Sequence, residues 1–182
     1  MADTTARRRW LAMAGVGALA AAAGYGFNVW LADRQPADQP NAAAVQALIA
    51  TPLRDLAGSD KAIESWRGKV LVINFWATWC APCRQEIPEF IRLQERLGER
   101  GLQFVGIAID QPQLVGDFAK EFGINYPLLI GGMSTLELMR ESGNKSGVLP
   151  FTLILDRNGK VAKSHRGRLT EAALETAVKP LL

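Results

Sequence analysis

Two kinds of hydrophobic pattern divide this chain of 182 residues. A continuous apolar stretch without a charged residue occupies residues 10–32. From about residue 51 onward, short apolar runs of strand length alternate with segments whose apolar residues recur at helical spacing. Such alternation is typical of an α/β domain, in which helices cover both faces of a central sheet. The pattern therefore predicts one α/β domain preceded by a separate N-terminal segment.

The alternation also predicts the order of the elements. We expect a hairpin around Gly58-Ser59-Asp60, a buried strand at 69–76, a helix from Cys80 to Gly98 or Gly101, a strand at 102–109, a helix at 114–122, a strand at 126–130, a helix at 135–141, a hairpin of 151–155 with 161–164, and a closing helix at 169–182. Asn158-Gly159 is a strong turn signal within the last hairpin. Pro88 falls inside the first long helix, where it should kink the axis.

The N-terminal segment has the features of a membrane anchor. As a helix, residues 10–32 would span about 35 Å, enough to cross a hydrocarbon core of about 30 Å. Three arginines, Arg7 to Arg9, precede the stretch and predict that this end stays in the cytoplasm. We therefore expect a cytoplasmic stub and single transmembrane helix at 1–32, with the following domain outside the bacterial inner membrane, in the periplasm.

Other interpretations of this segment stay open. Four alanines at 20–23 would suit cleavage of a signal peptide, although apolar residues continue through Leu31 and favour an uncleaved anchor. The arginines also loosely resemble a twin-arginine export signal. Residues 33–41 are polar and carry two prolines, which is typical of an extended spacer. We assign the tether to 33–50 and the domain to 51–182, although 42–50 would also suit a weak helix.

Charge argues against a nucleic-acid partner. The net charge is +3, but beyond residue 34 the chain has 17 basic and 16 acidic side chains. The excess of basic residues therefore belongs to the N-terminal segment and its membrane topology. The domain shows no Lys/Arg-rich run interleaved with aromatic residues, the pattern expected of a nucleic-acid-binding face.

The candidate chemistry lies at Cys80 and Cys83, the two cysteines of the chain. They follow a predicted buried strand and begin a predicted helix. The positive end of a helix stabilises a thiolate and lowers its pKa from about 8.5 toward about 7. We therefore expect Cys80 to be exposed there and to attack disulfides, and Cys83, one turn further in, to resolve the mixed disulfide.

Two simpler roles for the cysteines are weaker. A disulfide that closes so short a loop constrains little of the unfolded chain. A structural zinc site needs four ligands, and the single histidine, His165, is distant in sequence. His165 itself falls among Lys163, Arg166 and Arg168, where we expect a solvated edge residue rather than a catalytic group.

Two separated motifs give a family resemblance. The segment Asn74-Phe75-Trp76-Ala77-Thr78-Trp79-Cys80-Ala81-Pro82-Cys83, with Glu86 and Pro88 after it, resembles the active-site segment of membrane-anchored thioredoxin-like proteins of the TlpA/ResA type. The segment from Gly147 to Val161 is similar to a later part of the same family. The resemblance covers the chain from about Leu53 onward and implies a thioredoxin-like fold, a central mixed sheet flanked by helices.

The resemblance and the residue types together indicate which residues bind substrate. It implies that Pro150 is a cis-proline beside the cysteine pair and that the backbone of Leu149 binds a substrate peptide strand to strand. Trp79 is expected to form a flat apolar surface for the partner, whereas Trp76 belongs to the core. Pro82, in the first turn of the helix, should limit flexibility between the sulfurs.

Glu86 is the candidate proton carrier. Thioredoxins usually have a buried carboxylate where this chain has Asn74, and an amide cannot exchange a proton. Glu86 lies three residues after Cys83, on the same predicted helix, and TlpA/ResA-like proteins often have a glutamate there. The alternative is a solvated helix carboxylate, because Glu89, Glu95 and Glu99 make the helix acidic in any case.

The resulting expectation is a thiol-disulfide oxidoreductase that reduces protein disulfides without a cofactor or metal. By resemblance, its substrates are apocytochrome c or copper-site assembly factors, and a membrane electron donor of the DsbD or CcdA kind re-reduces it. A thiol peroxidase is an alternative, since 108–129 resembles peroxiredoxin-like stretches, but Thr78 lacks the spacing to Cys80 that orients a peroxide. A copper-delivery module is another, because two thiolates bind Cu(I).

Overall fold

The computed structural model describes residues 39–182. The predicted stub and membrane anchor at 1–32 and the beginning of the tether at 33–38 lie outside the described residues, so they stay predictions. Within 39–182, no helix is long and apolar enough to span a bilayer.

The described residues form an α/β fold with five α-helices and seven strands. In chain order they are α1 (Ala42–Ala50), β1 (Leu53–Asp55), β2 (Asp60–Lys61), β3 (Val70–Trp76), α2 (Ala81–Leu97), β4 (Leu102–Ala108), α3 (Pro112–Phe122), β5 (Leu128–Ile130), α4 (Met133–Glu141), β6 (Phe151–Leu155), β7 (Val161–Arg166) and α5 (Glu171–Val178). Short 3₁₀ turns lie between these elements at Ile63–Trp66 and Gly98–Arg100, and after α5 at Lys179–Leu181. Each predicted element is present, with bounds that differ by a few residues.

The strands form one mixed sheet in the order β2-β1-β5-β4-β3-β6-β7. The three central strands β3, β4 and β5 are parallel. β6 runs antiparallel to β3, and β7 antiparallel to β6 at the outer edge. This confirms the predicted central mixed sheet flanked by helices.

The core lies on both faces of the sheet, because side chains alternate between the faces along a strand. Every residue of β3 is buried. Val72 and Trp76 pack on one face in a cluster with Phe90 of α2. Ile73 packs on the other face with Leu48 of α1. A strand buried on both faces needs apolar side chains throughout, so the polar Asn74 in its middle is an exception that the site explains.

Residues 42–50, which we assigned to the tether, belong to the domain. They form α1, whose N-cap Asn41 accepts hydrogen bonds from the backbone N–H groups of Ala43 and Ala44. Val45 and Leu48 are buried in the core. The assignment was wrong because the apolar face of this helix is short and its packing partner is the sheet. That partner is distant in sequence, so the local pattern does not reveal it.

Helix α2 positions the cysteines. Its N-cap is Cys80, in extended backbone, and Pro82 stands in the first turn, where its missing N–H costs little. Buried residues at 83, 86, 87, 90, 93 and 97 recur at helical spacing and hold the helix against the sheet. The helix continues through Pro88 to Leu97.

Candidate active site

The candidate site lies at one edge of the sheet, where three strands bring their ends together. β3 and β4 end side by side, with Trp76 opposite Ala108. β6 begins at the same edge, because Phe151 is opposite Phe75. The segments 77–80, after β3, and 149–150, before β6, therefore meet at this edge.

Cys80 and Cys83 form a disulfide with an S–S distance of 2.08 Å and Cα atoms 5.3 Å apart. Cys80 is 5% exposed, and Cys83 is fully buried. The expectation that Cys80 is exposed is wrong for the disulfide form, in which its sulfur is bonded to the fully buried Cys83. Of the two cysteines, Cys80 alone retains some solvent exposure.

The backbone at Cys80 favours a thiolate. As the N-cap of α2, Cys80 stands at the positive end of the helix, and its side chain caps no backbone N–H. The backbone N–H of Arg84 donates to the carbonyl of Cys80 at 3.1 Å. A sulfur that is free of capping and next to the helix N-terminus is therefore placed to be stabilised as an anion once the disulfide is reduced.

Glu86 is completely buried, so the alternative of a solvated helix carboxylate is wrong. Its Oε1 accepts a hydrogen bond from Asn74 Nδ2 at 2.8 Å, and its Oε2 accepts one from the backbone N–H of Leu169 at 2.9 Å. Burial raises the pKa of Glu86 to about 7, against the lowering effects of these two hydrogen bonds and of the Arg168 charge. Glu86 therefore changes its charge near neutral pH, one helical turn from Cys83.

Two partners of this network were not identified from the sequence. Asn74 Nδ2 also donates to Thr152 Oγ1 at 3.1 Å, and Thr152 is fully buried in β6. The available signal was a polar residue inside an otherwise apolar predicted strand. The backbone N–H of Leu169 had no sequence signal, because any residue type except proline supplies that group.

Asp110 fixes the segment before the cysteines and was also missed. Its Oδ2 accepts hydrogen bonds from the backbone N–H and the hydroxyl of Thr78, at 3.0 and 2.5 Å. Partial burial acts to raise its pKa, but the hydrogen bonds from Thr78 and from Gln111 N–H outweigh this and lower the pKa of Asp110. The signal was a carboxylate directly after the strand predicted at 102–109.

Arg84 also contacts this segment. Its guanidinium lies 5.0 Å from the ring centroid of Phe118 and 5.4 Å from that of Phe122, and Nη1 donates to the carbonyl of Thr78 at 3.4 Å. The segment leading into Cys80 is thus held by α2 and by the end of β4.

The residues expected to bind substrate belong to the segments that meet at this end of the sheet, and they differ in exposure. Trp79 is 69% exposed, while Trp76 is buried as predicted. The Leu149–Pro150 peptide bond is cis, which confirms that expectation. Leu149 is half-buried, Pro150 buried and Pro82 exposed. His165 lies in the edge strand β7, with a ring nitrogen 3.2 Å from the carbonyl of Arg168.

Comparison with known protein sequences gives one consistent family. Residues 35–178 match the family model described as Redoxin. A thiol-disulfide oxidoreductase ResA from Geobacillus thermodenitrificans is 33% identical over 132 residues, which cover 70% of this chain and 74% of the relative. A ResA from Halalkalibacterium halodurans is 28% identical over 171 residues, covering 93% of this chain and 92% of the relative.

Solved structures agree with this result. A thiol:disulfide interchange protein of the thioredoxin family from Chlorobium tepidum is 30% identical with a TM-score of 0.64, covering 72% of this chain and 96% of that protein. A DsbF homologue from Corynebacterium diphtheriae is 27% identical with a TM-score of 0.64, covering 72% of this chain and 83% of the homologue.

Proposed function

Starting from the fact that the chain belongs to the redoxin family, as a thiol-disulfide oxidoreductase of the ResA type, we propose that it reduces disulfides in proteins outside the cytoplasmic membrane. The observation that carries the proposal is the juxtaposition of a disulfide at a helix N-terminus with a buried carboxylate that titrates near neutral pH. The disulfide in the structure is the oxidised end of the cycle.

The reaction begins from the dithiol form. The Cys80 thiolate attacks one sulfur of the substrate cystine, the substrate S–S bond breaks, and the departing substrate thiolate takes up a proton. Cys83 then loses its proton and attacks the Cys80 sulfur. The bond between Cys80 and the substrate breaks, the second substrate thiolate leaves and is protonated, and the Cys80–Cys83 disulfide forms. The substrate gains two electrons and the enzyme loses two.

Glu86 is the proton carrier for Cys83. A general base is most effective when its pKa lies near the working pH, and burial brings the pKa of Glu86 to about 7. Glu86 stands three residues after Cys83 on α2, so the two side chains share a helix face. It takes the proton as Cys83 becomes a nucleophile and returns it when the disulfide is reduced.

The substrate docks on Trp79 and on the backbone before β6. The exposed indole of Trp79 offers an apolar surface beside Cys80. The backbone of Leu149 adjoins the same edge and pairs with an extended substrate segment, while Pro150 lines the site and Pro82 stiffens the loop between the sulfurs. Main-chain pairing tolerates varied side chains, which suits a reductase of several proteins.

Re-reduction and location complete the proposal. The charge-free stretch at 10–32, preceded by three arginines, favours a single-pass anchor in the inner membrane with the catalytic domain on the periplasmic side. Disulfides persist in that compartment, so a reductant there needs a continuous electron supply. A membrane donor of the DsbD or CcdA kind fits this requirement, and apocytochrome c or copper-site assembly factors are the proposed substrates.

Replacing Cys83 with serine tests the mechanism. Cys83→Ser removes the resolving thiol, so substrate proteins remain covalently bound to Cys80 and appear as reducible adducts on non-reducing gels, where mass spectrometry identifies them. Cys80→Ser is the matched control and should give no adducts. Adducts that form equally well in both variants, or in neither, contradict the proposed order of attack.

The alternative activities are separated by their own assays. A peroxidase would consume hydrogen peroxide faster than it reduces insulin or apocytochrome c. The Thr78 hydroxyl already donates to Asp110 at 2.5 Å, which favours the reductase over a peroxidase that uses this group on peroxide. A copper carrier would bind Cu(I) at sub-micromolar concentration and lose disulfide exchange when loaded.

A further inference from the structure

The Asn74 amide is held in place from one side only. Its Nδ2 donates to Glu86 Oε1 at 2.8 Å and to Thr152 Oγ1 at 3.1 Å. Its Oδ1, although buried, has no hydrogen-bond partner among residues 39–182. A buried carbonyl oxygen without a donor is unfavourable. Among the described residues, nothing therefore fixes the amide through its Oδ1. The orientation depends on the two hydrogen bonds that Nδ2 donates, to Glu86 and to Thr152.

The orientation matters because Glu86 and Asn74 are chemically asymmetric partners. An ionised carboxylate only accepts hydrogen bonds, whereas an amide presents a donor end and an acceptor end. With Nδ2 toward Glu86, the amide stabilises the ionised form. If the amide turned to satisfy Oδ1 elsewhere, Glu86 would lose one of its two donors and would have only the backbone N–H of Leu169.

We propose that Thr152 is a positioning residue of the redox site: its hydroxyl oxygen anchors the second N–H of Asn74 and so keeps the first N–H directed at Glu86. The anchor is built into the sheet, because Thr152 lies directly opposite Asn74 in the register of β6 with β3. Both residues are buried, at 0% and 1% exposure. The proposal rests on the proposed function only in giving Glu86 the role of proton carrier.

Other charged or titratable groups also face Glu86, and the test leaves them unchanged. On its own helix the Glu89 charge opposes ionisation of Glu86, whereas Cys83 is held in the disulfide and does not titrate in the oxidised protein. From the segment before α5, Arg168 favours ionisation and forms an ion pair with Glu89 at 2.5 Å. Tyr126 is buried, and burial together with the Glu86 charge raises its pKa, so it stays neutral.

His165 must also be considered, because it is opposite Thr152 in the register of β7 with β6. Its ring nitrogen contacts the carbonyl of Arg168, and a Thr152 substitution does not remove this contact. Titration of Glu86 is therefore followed directly at its own carboxyl carbon, so that the histidine does not enter the measurement.

The experiment compares Thr152→Val with Thr152→Ser in the oxidised full-length chain in detergent. Valine keeps the shape of threonine and removes the hydroxyl, whereas serine keeps the hydroxyl. Carbon-13 NMR of labelled glutamate carboxyls, assigned by loss of the signal in Glu86→Gln, gives the titration midpoint of Glu86. We expect Thr152→Val to raise the midpoint of Glu86 by about one pH unit, which is a tenfold higher proton affinity. The reason is that the ionised carboxylate loses an oriented hydrogen-bond donor. Thr152→Ser should leave it unchanged.

Two further variants keep the result interpretable. Thr152→Ala removes the hydroxyl without adding a methyl group and replaces Thr152→Val if that variant does not fold. Thr135→Val removes a hydroxyl that is equally buried in α4 and contacts Gly132 N–H, so it reproduces the general loss of stability without touching Glu86. An unchanged Glu86 midpoint in folded Thr152→Val or Thr152→Ala overturns the inference, as does an equal shift in Thr135→Val.

The pH profile of disulfide exchange distinguishes this inference from the proposed function. If the carboxyl midpoint rises in Thr152→Val and the exchange profile moves with it, both stand. If the midpoint rises while the exchange profile stays in place, Thr152 positions Asn74 as inferred, but Glu86 is not the proton carrier.

Discussion

The buried Glu86 makes the stability of the oxidised protein depend on pH in a direction opposite to that of most carboxylates. In the unfolded chain its pKa returns to about 4.5, whereas in the folded protein it is about 7. Between these values the folded state binds more protons than the unfolded state, so the free energy of unfolding falls as the pH rises. The destabilisation is complete above the folded pKa and absent below the unfolded one.

The size of the effect follows from the same two pKa values. Raising a pKa from 4.5 to about 7 corresponds to a loss of about 3 kcal/mol on going from about pH 4 to about pH 8. Glu86→Gln removes the titration. Its amide can still accept from Leu169 N–H, and it can donate to Asn74 Oδ1 once Asn74 turns. We therefore expect Glu86→Gln to be more stable than wild type at about pH 8, with the difference vanishing toward about pH 4.

The assay is urea unfolding of the oxidised full-length chain in detergent, followed by tryptophan fluorescence across this pH range. The informative quantity is the difference between variants, because groups that titrate in both cancel. Glu95→Gln, at an exposed position of the same helix, is the matched control and should follow wild type. If wild type and Glu86→Gln lose stability in parallel as the pH rises, the carboxyl of Glu86 is not held neutral by burial and our account of the site fails.

Two further predictions concern the rim of the site. Trp79→Ala should raise KM for a protein disulfide such as insulin while leaving the rate with a small aromatic disulfide unchanged, because the exposed indole contacts only a large partner. Leu56→Ala, an exposed apolar position at the opposite edge of the sheet, is its control, and equal effects of the two would refute a docking role. Asp110→Asn should lower the free energy of unfolding by about 1 kcal/mol, since it weakens charge-assisted hydrogen bonds from Thr78. Urea unfolding at neutral pH measures this loss of free energy. The dependence of stability on pH that Glu86 causes should stay as in wild type.

The order of strands and helices could be predicted from the sequence because most elements carry their own hydrophobic period. β3 is apolar throughout apart from Asn74, and α2 repeats its buried residues at helical spacing. Helix α1 was wrongly assigned to the tether, because its short buried face becomes apparent only when the sheet lies under it.

The site was predictable where chemistry is local in sequence and unpredictable where it depends on burial. The spacing of Cys80 and Cys83 at the start of a predicted helix was sufficient to identify them as a redox pair. The burial of Glu86 could not be derived from a helix that carries several other glutamates, because it depends on Leu169, 83 residues later, closing over the carboxylate. Thr152 and Asp110 had weak signals, a polar residue in a buried strand and a carboxylate at a strand end.

The outer strand β7 has a consequence for how these molecules tolerate crowding. As the last strand of the sheet in the described part of the chain, it offers main-chain groups on which another extended chain could assemble. Lys163 and Arg166 project charge along it, and the irregular register beside Ile154 and Leu155 bends its pairing with β6. Charged side chains and an irregular register on an edge strand oppose main-chain pairing with the edge of another sheet. The β7 edge is therefore protected against edge-to-edge aggregation of the folded domain.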